Sequence, residues 1–309
     1  METRLFFHVD DGEEGWQLKG YLKSKRVSVS LLRRIKREGL LLLNGERATV
    51  HQRVAKGDRV EILFPDPPLP IVPPEPIPLS VLLEDEDLLL INKPAGIAVH
   101  PTYNYSSGTL ANGISYYWEK KGEMRPVRLV HRLDKETSGI LIVAKHAYAQ
   151  YFLSEGYRQG EYRKWYDLFV HGLLAEEEGF IELPIGLAQG SIIKRTILAE
   201  GPPARTKFRV RRRYPKWNVT WVEAELFSGK THQIRVHFSH LGHPLLGDDL
   251  YGGEKRWMKR QALHASRVHF LHPRTLKAIQ MESPWPEDLL RLKGFLENEE
   301  NEARDFSKR

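Results

Sequence analysis

The 309-residue chain has no cysteine. That excludes disulfide frameworks, thiolate metal sites and cysteine nucleophiles, and it fits a reducing, cytoplasmic setting. No stretch reaches the roughly 18 apolar residues that would suggest a membrane span. The opening METRLFFHVDDGEEGW places no long apolar core behind a basic start, so neither a membrane partner nor a secretory leader is expected. Gly-x-Gly-x-x-Gly and Gly-Lys-Ser/Thr phosphate loops are also missing, which leaves a nucleotide cofactor without support, and no cofactor of any kind is expected. What is present is 41% hydrophobic residues and 47 Lys plus Arg against 40 Asp plus Glu, a net charge of +7. A chain of this kind can bury a sizeable core and suits a polyanionic partner.

Eight prolines between Phe64 and Pro78 cannot feed a helix or a central strand and read as an extended spacer. The expected organisation is a small module over 1–64, a proline-rich linker over 65–79, a larger domain over 80–290 and a charged tail over 291–309 that frays as a helix. In the first module, Gln17 to Lys25 is a short helix candidate, and Ser30 is expected to cap a second helix through about Glu38, closed by a left-handed Gly39. Leu40 to Leu43, the Asn44-Gly45 turn and Arg59 to Leu63 read as a small sheet.

The segment from Lys19 to Arg59 holds 12 Lys or Arg and 3 Asp or Glu, 12 − 3 = +9, more than the net charge of the whole chain. In its second helix Leu31, Leu32 and Ile35 fall toward a core while Arg33, Arg34, Lys36 and Arg37 fan outward. That layout suits phosphate contacts as well as a merely solvated face. The order of a short Arg-rich helix pair, LLLLNG and then GDRVEIL resembles the S-four-type RNA-binding domain over roughly Gly15 to Phe64. The resemblance implies that Arg33, Arg34 and Arg37 bind structured RNA.

From Ser80 onward, β-rich runs at Leu88–Ile91, Gly139–Ala144, Trp165–Val170, Thr206–Val210 and Val219–Phe227 are interleaved irregularly with helical patterns at Thr109–Trp118, His146–Gly156 and Thr231–Leu241. This favours an α+β fold with a mixed, largely antiparallel sheet. The polar cluster HRLDKETSG lies just before ILIVA. Taken bare, Asp134 suits a turn or cap. The spelling, however, resembles the HRLDxxTSG signature of the RluA-type RNA pseudouridine synthases at all its fixed positions. The likeness continues through EDEDLLLINKPAGIAVHP, KWYDLFVHG, SGKTHQIRVHFSHLGHPLLGDDLYG, ALHA and FLHP, about Val81 to Pro273. Lys230 stands where that family usually has Arg, and Asp167-Leu168-Phe169 departs from the small or apolar residues usual after the tyrosine.

The resemblance implies an isomerase of the pseudouridine synthase type acting on structured RNA, with Asp134, Tyr166 and Arg235 as catalytic residues. Asp134 would be the catalytic carboxylate, attacking either sugar or base. A nearby cation would favour its ionised form, and Arg235 is the family-matched candidate. Tyr166 would stack on the uracil and assist proton removal from it. Arg132 would fill the gap left by the extruded uridine, grouped with His131, Lys93 and Lys230 as substrate-binding. Lys93 and Pro94 would also brace the catalytic loop. The S-four-type module points to large-subunit ribosomal RNA ahead of transfer RNA.

Two other classes are open to these residues. His232, His237, His240 and His243, followed by Asp248 and Asp249, could suggest a metal hydrolase, but without His-Glu-x-x-His and with Gly242 and Pro244 ending the helix the spacing is poor. No metal is expected. A non-catalytic RNA-binding factor would have no need of Asp134, Tyr166 and Arg235 together. The run Ala204–Trp217, with seven Lys or Arg and no acid, reads as a second RNA-contacting stripe along Lys207, Arg209, Arg211 and Arg213, or as a solvated edge strand.

Overall fold

A computed structural model describes residues 2–65, 72–102 and 106–306, with the side chains of 299–306 left aside. The N-terminal unit comprises β1 (Glu2–His8), α1 (Leu18–Ser24), α2 (Val29–Glu38), β2 (Leu40–Leu43), β3 (Glu46–Arg47) and β4 (Arg59–Pro65). Its four-stranded sheet has the order β1-β4-β2-β3. Leu31, Leu32 and Ile35 are buried, because apolar residues at this spacing share one side of a helix. Asn44 and Gly45 both take positive φ, 53° and 86°, as a tight hairpin turn between β2 and β3 requires.

Two caps differ from expectation. Ser28, not Ser30, caps α2, its hydroxyl accepting from the Leu31 amide at 3.1 Å. Gly39 is extended, at φ −119°, so it is not a left-handed cap. A β-carbon there would stand 2.2 Å from the Leu63 carbonyl oxygen; glycine is needed for the close approach of α2 to β4.

The larger unit follows with β5 (Val81–Glu84), β6 (Leu88–Lys93), α3 (Leu110–Lys120), β7 (Arg128–Leu129), β8 (Ser138–Ala144), α4 (Ala147–Arg158), β9 (Arg163–His171), β10 (Glu178–Glu182), β11 (Ile185–Leu187), β12 (Arg195–Ile197), β13 (Arg205–Tyr214), β14 (Val219–Leu226), α5 (Gln233–His240), β15 (Leu263–Leu271), β16 (Ala278–Glu282) and α6 (Glu287–Phe306). Its main sheet has ten strands in the order β10-β13-β14-β9-β15-β8-β6-β5, with β16 on β15 and β7 on β8. Pairing is antiparallel except between β15 and β8. The fold is α+β, with a mixed, largely antiparallel sheet behind a small four-stranded module.

The spacer does not keep the units apart. Leu5, Phe7, Tyr21 and Leu22 of the N-terminal unit lie in one buried cluster with Leu88, Leu90, Ile140, Ile142, Tyr148, Phe152 and Phe270. The Tyr148 hydroxyl donates to the Lys25 carbonyl at 2.8 Å, and Arg26 pairs with Glu161. Part of the proline-rich stretch, 66–71, lies outside the described residues. Beyond it the chain is strapped to α3: the Asn112 side chain donates to the Pro73 carbonyl at 2.9 Å, and Glu75 accepts from the Gly108 amide at 3.0 Å.

The segment read as a charged tail is the body of α6. Leu289, Leu292 and Leu296 are buried against Phe169, Tyr214 and Val219, because they recur on one face of the helix. The basic run is not an edge strand. It forms β13 between β10 and β14, and Arg205, Arg209, Arg211, Arg212 and Arg213 pair with Glu182, Glu178, Glu223, Glu297 and Glu177. Acids supplied by neighbouring elements thus pair these five arginines.

Candidate active site

The loop 130–137 carries Asp134 into a cavity of about 770 Å³ whose walls include His131, Arg132, Asp134, Lys164, Tyr166, Lys230, His232 and Arg235. Buried groups hold that loop from behind. The Lys93 ammonium, fully buried, donates to the carbonyls of Pro94, Lys135 and Thr137 at 2.7, 2.9 and 2.8 Å. Arg260 donates to the Glu136 carbonyl at 2.9 Å and is itself held by Asp288 of α6. The Ser138 hydroxyl meets His264 Nδ1 at 2.9 Å. Gly139 sits at φ +111°, with Ala265 O only 2.2 Å from where a β-carbon would be. Ser138 and Gly139 thus each have a local physical reason.

Arg235 stands near the start of α5. Its Nε and Nη2 donate to both oxygens of the buried Asp248 at 2.7 and 2.8 Å, and its Nη1 donates to Asp134 Oδ2 at 3.0 Å. Burial alone would lower the guanidinium, but hydrogen bonds and charge from Asp248 and Asp134 raise it above its ordinary value. A bidentate pair fixes a planar fork in direction as well as place. Asp248 therefore aims the remaining donor at Asp134.

His232 precedes α5 in a left-handed backbone, φ 59°, uncommon outside glycine. Its Nε2 is 3.8 Å from Asp134 Oδ2. The Tyr251 hydroxyl accepts from the Arg195 amide at 2.9 Å and lies 2.9 Å from His232 Nδ1. That hydroxyl can either donate to Nδ1 or accept from it. Burial holds the imidazole below its usual value, against the opposing charge of Asp134.

Tyr166 lies on β9 between Ala224 of β14 and Ala265 of β15. Its neighbours on both strands are small, and the tyrosine lines the cavity. Burial pushes its phenol well above the ordinary range, with the charge of Asp134 acting in the same direction. The hydroxyl is therefore held in its protonated form.

The other expected residues separate. Arg132 is exposed at the cavity mouth and Lys230 lines it half-buried. His131 borders the cavity, but its Nε2 accepts from the Ile142 amide at 3.3 Å, and burial pushes it down to about 3. Lys93 is a correction: its three bonds face loop carbonyls and it is absent from the cavity wall, so it braces and does not bind substrate. Arg33, Arg34 and Arg37 lie on α2, outside that wall, and Arg37 pairs with Glu38. The histidines read as possible metal ligands disperse: His237 meets Thr206 and the Leu183 carbonyl, and His243 the His171 carbonyl. Sequence reasoning missed His232 beside the aspartate, and Asp248 and Tyr251 as the groups that hold Arg235 and His232 there. The one signal was their crowding around Arg235.

A carboxylate–arginine pair in a cavity lined by a tyrosine suits chemistry on a planar base. A family model described as RNA pseudouridylate synthase matches residues 87–240. The chain is 40% identical over 277 residues to Uncharacterized RNA pseudouridine synthase YjbO of Bacillus subtilis (strain 168), covering 89% of this chain and 97% of that protein. It is 36% identical over 287 residues to Ribosomal large subunit pseudouridine synthase D of Xanthomonas campestris pv. campestris, covering 88% and 86%. Among solved structures it is similar to Human RNA Pseudouridylate Synthase Domain Containing 1, with a TM-score of 0.56 and 26% identity over 69% of this chain and 86% of that one. Fold and sequence together define an RNA-modifying isomerase. The chain belongs to the RNA pseudouridine synthase family and converts uridine in RNA to pseudouridine. Among the described residues no helix is long and apolar enough to cross a membrane.

Proposed function

We infer that the substrate is large-subunit ribosomal RNA in the cytoplasm, and that Asp134 is the carboxylate that opens the reaction. The contact between Arg235 and Asp134, aimed by Asp248, carries the second part: an oriented carboxylate stands in a cavity that Tyr166 also lines. Breaking the bond from C1′ to N1 sends its electron pair into the base. The base turns, C5 bonds to C1′, and the C5 proton departs, so the isomerisation needs no redox partner. Tyr166 supplies a neutral surface on which the ring can turn, and exposed Arg132 a planar group to occupy the vacated stack.

The ribosomal target is supported by the relatives named ribosomal large subunit pseudouridine synthase D and by the basic N-terminal unit. That unit we read as S-four-like. Outward-facing Arg33, Arg34, Lys36 and Arg37 suit phosphates of a folded RNA. A pseudouridine map of cellular RNA with and without the protein tests the target. At least one large-subunit ribosomal position is expected to lose its modification; loss confined to transfer RNA would contradict the assignment.

A further inference from the structure

One polar corner of the cavity is unused by the chemistry described so far. Lys164 lies on β9 two residues before Tyr166, so both side chains leave the same face of the strand. Lys164 is 5% exposed and lines the cavity. Its ammonium sits 4.2 Å from the ring centre of Tyr157 and 5.7 Å from that of Tyr162, and among the described residues it meets no carboxylate or carbonyl acceptor. The hydroxyls of Tyr157 and Tyr162 are buried and also lack hydrogen-bond partners. Gly229 closes the corner without filling it: a β-carbon there would stand 3.9 Å from both Lys164 Nζ and the Tyr157 oxygen.

Two buried hydroxyls without partners beside an ammonium at the cavity wall are costly unless a ligand meets them. We propose that Lys164, with Tyr157 and Tyr162 beside it, holds a carbonyl oxygen of the target uracil and stabilises the negative charge the base acquires when it leaves the sugar. This role rests on the reading of Asp134 and Tyr166 given above. When the C1′–N1 bond breaks, its electron pair spreads over N1 and the carbonyl oxygens. An ammonium at an oxygen opposes that charge without surrendering its proton, and the electrons stay available for the new bond from C5 to C1′. Positions two apart on a strand are separated by about 7 Å, which sets the ammonium near the edge of a ring stacked on Tyr166. A backbone phosphate fits less well. The RNA backbone would stay at the rim, beside the exposed guanidinium of Arg132.

The test compares wild type, Lys164→Met and Lys164→Arg on large-subunit ribosomal RNA transcripts made with uridine, 2-thiouridine or 4-thiouridine. Pseudouridine formation is followed in single turnovers at saturating RNA. Lys164→Met is expected to lose about 100-fold in rate with RNA affinity within about threefold, while Lys164→Arg stays within about tenfold of wild type. Sulfur at the contacted oxygen should slow wild type about tenfold further and leave Lys164→Met almost unaffected.

A pH series keeps the inference falsifiable if Lys164→Met fails to fold. Burial pushes Lys164 down to about 8. The facing phenols of Tyr157, Tyr162 and Tyr166 are pushed up by burial, and His131 down to about 3. Lys164 is therefore the group of this corner that titrates near pH 8. Wild-type rate at low RNA should fall as pH rises through that value, and Lys164→Arg should remove the fall. Identical thio effects in both proteins, or an alkaline fall retained by Lys164→Arg, would overturn the role. So would a Lys164→Met whose rate is unchanged while its salt slope drops by about one, which would mark a phosphate contact. Wild-type inactivity on every transcript would instead contradict the ribosomal target assigned above.

Discussion

Arg235 divides its donors between two carboxylates with different tasks. Asp248 is 1% exposed and takes two of the guanidinium bonds, while Asp134 stands at the cavity and takes the third. A lysine would keep the charge but could not span both partners in fixed geometry. Arg235→Lys is accordingly expected to lower the single-turnover rate roughly 100-fold and to change RNA affinity only a few-fold. Unchanged turnover would remove the pair from the reaction. Asp134, Tyr166 and Arg235 were legible because their neighbours in sequence spell a family's blocks. Asp248 was legible only as a possible metal ligand, since nothing in a linear sequence shows that its oxygens face a guanidinium thirteen residues earlier.

At the scale of elements, the catalytic loop is tied to the surrounding strands by contacts distant in sequence. Lys93 ends β6, Arg260 precedes β15, and Gly139 lies where β8 runs parallel to β15. Because Gly139 has a positive φ and a carbonyl oxygen at 2.2 Å from a would-be β-carbon, Gly139→Ala must either push β8 from β15 or strain its backbone. The expected cost is at least about 2 kcal/mol, read as a lower midpoint in urea with a parallel loss of activity. A variant as stable as wild type would show that the approach can relax. Strands and helices themselves were readable from β-branched runs and from apolar spacing. The bulge at Val210/Arg212 and the ion pairs along β13 were not, because periodicity says which way a side chain points and not what it meets.

The molecule is less modular than its sequence. Proline density and charge suggest a docking unit joined by a spacer, yet the two units share a buried cluster from Leu5 to Phe270. Apolar residues such as Phe7, Tyr148 and Phe152 can be assigned from sequence to a core, but not to a core shared between units. Deleting residues before 79 would bare Leu88, Leu90, Ile140 and Ile142 to water, at about 25 cal/mol per Å² of apolar surface. The expected outcome is a truncated protein that aggregates or melts early and loses activity. Replacing Arg33, Arg34 and Arg37 together with alanine leaves that cluster intact. It is expected to weaken binding to long RNA and flatten its salt dependence by up to about three phosphate contacts, with the saturated rate preserved. A soluble, fully active truncation would restore the modular picture, and an unchanged salt slope would leave α2 a solvated face.

The catalytic effects among these presuppose that one carboxylate begins the reaction. The direct measurement is tritium release, under single-turnover conditions, from ribosomal RNA transcripts carrying [5-³H]uridine, by wild type and by Asp134→Asn. Replacing the C5 hydrogen by the sugar is what frees the label, so release counts the new carbon–carbon bond. The amide keeps the shape of the side chain and its place beside Arg235, but not its charge. Wild type should release label in proportion to pseudouridine formed. Asp134→Asn should release none above background while binding the same transcript within a few-fold of wild type. Sustained release by Asp134→Asn would contradict the account.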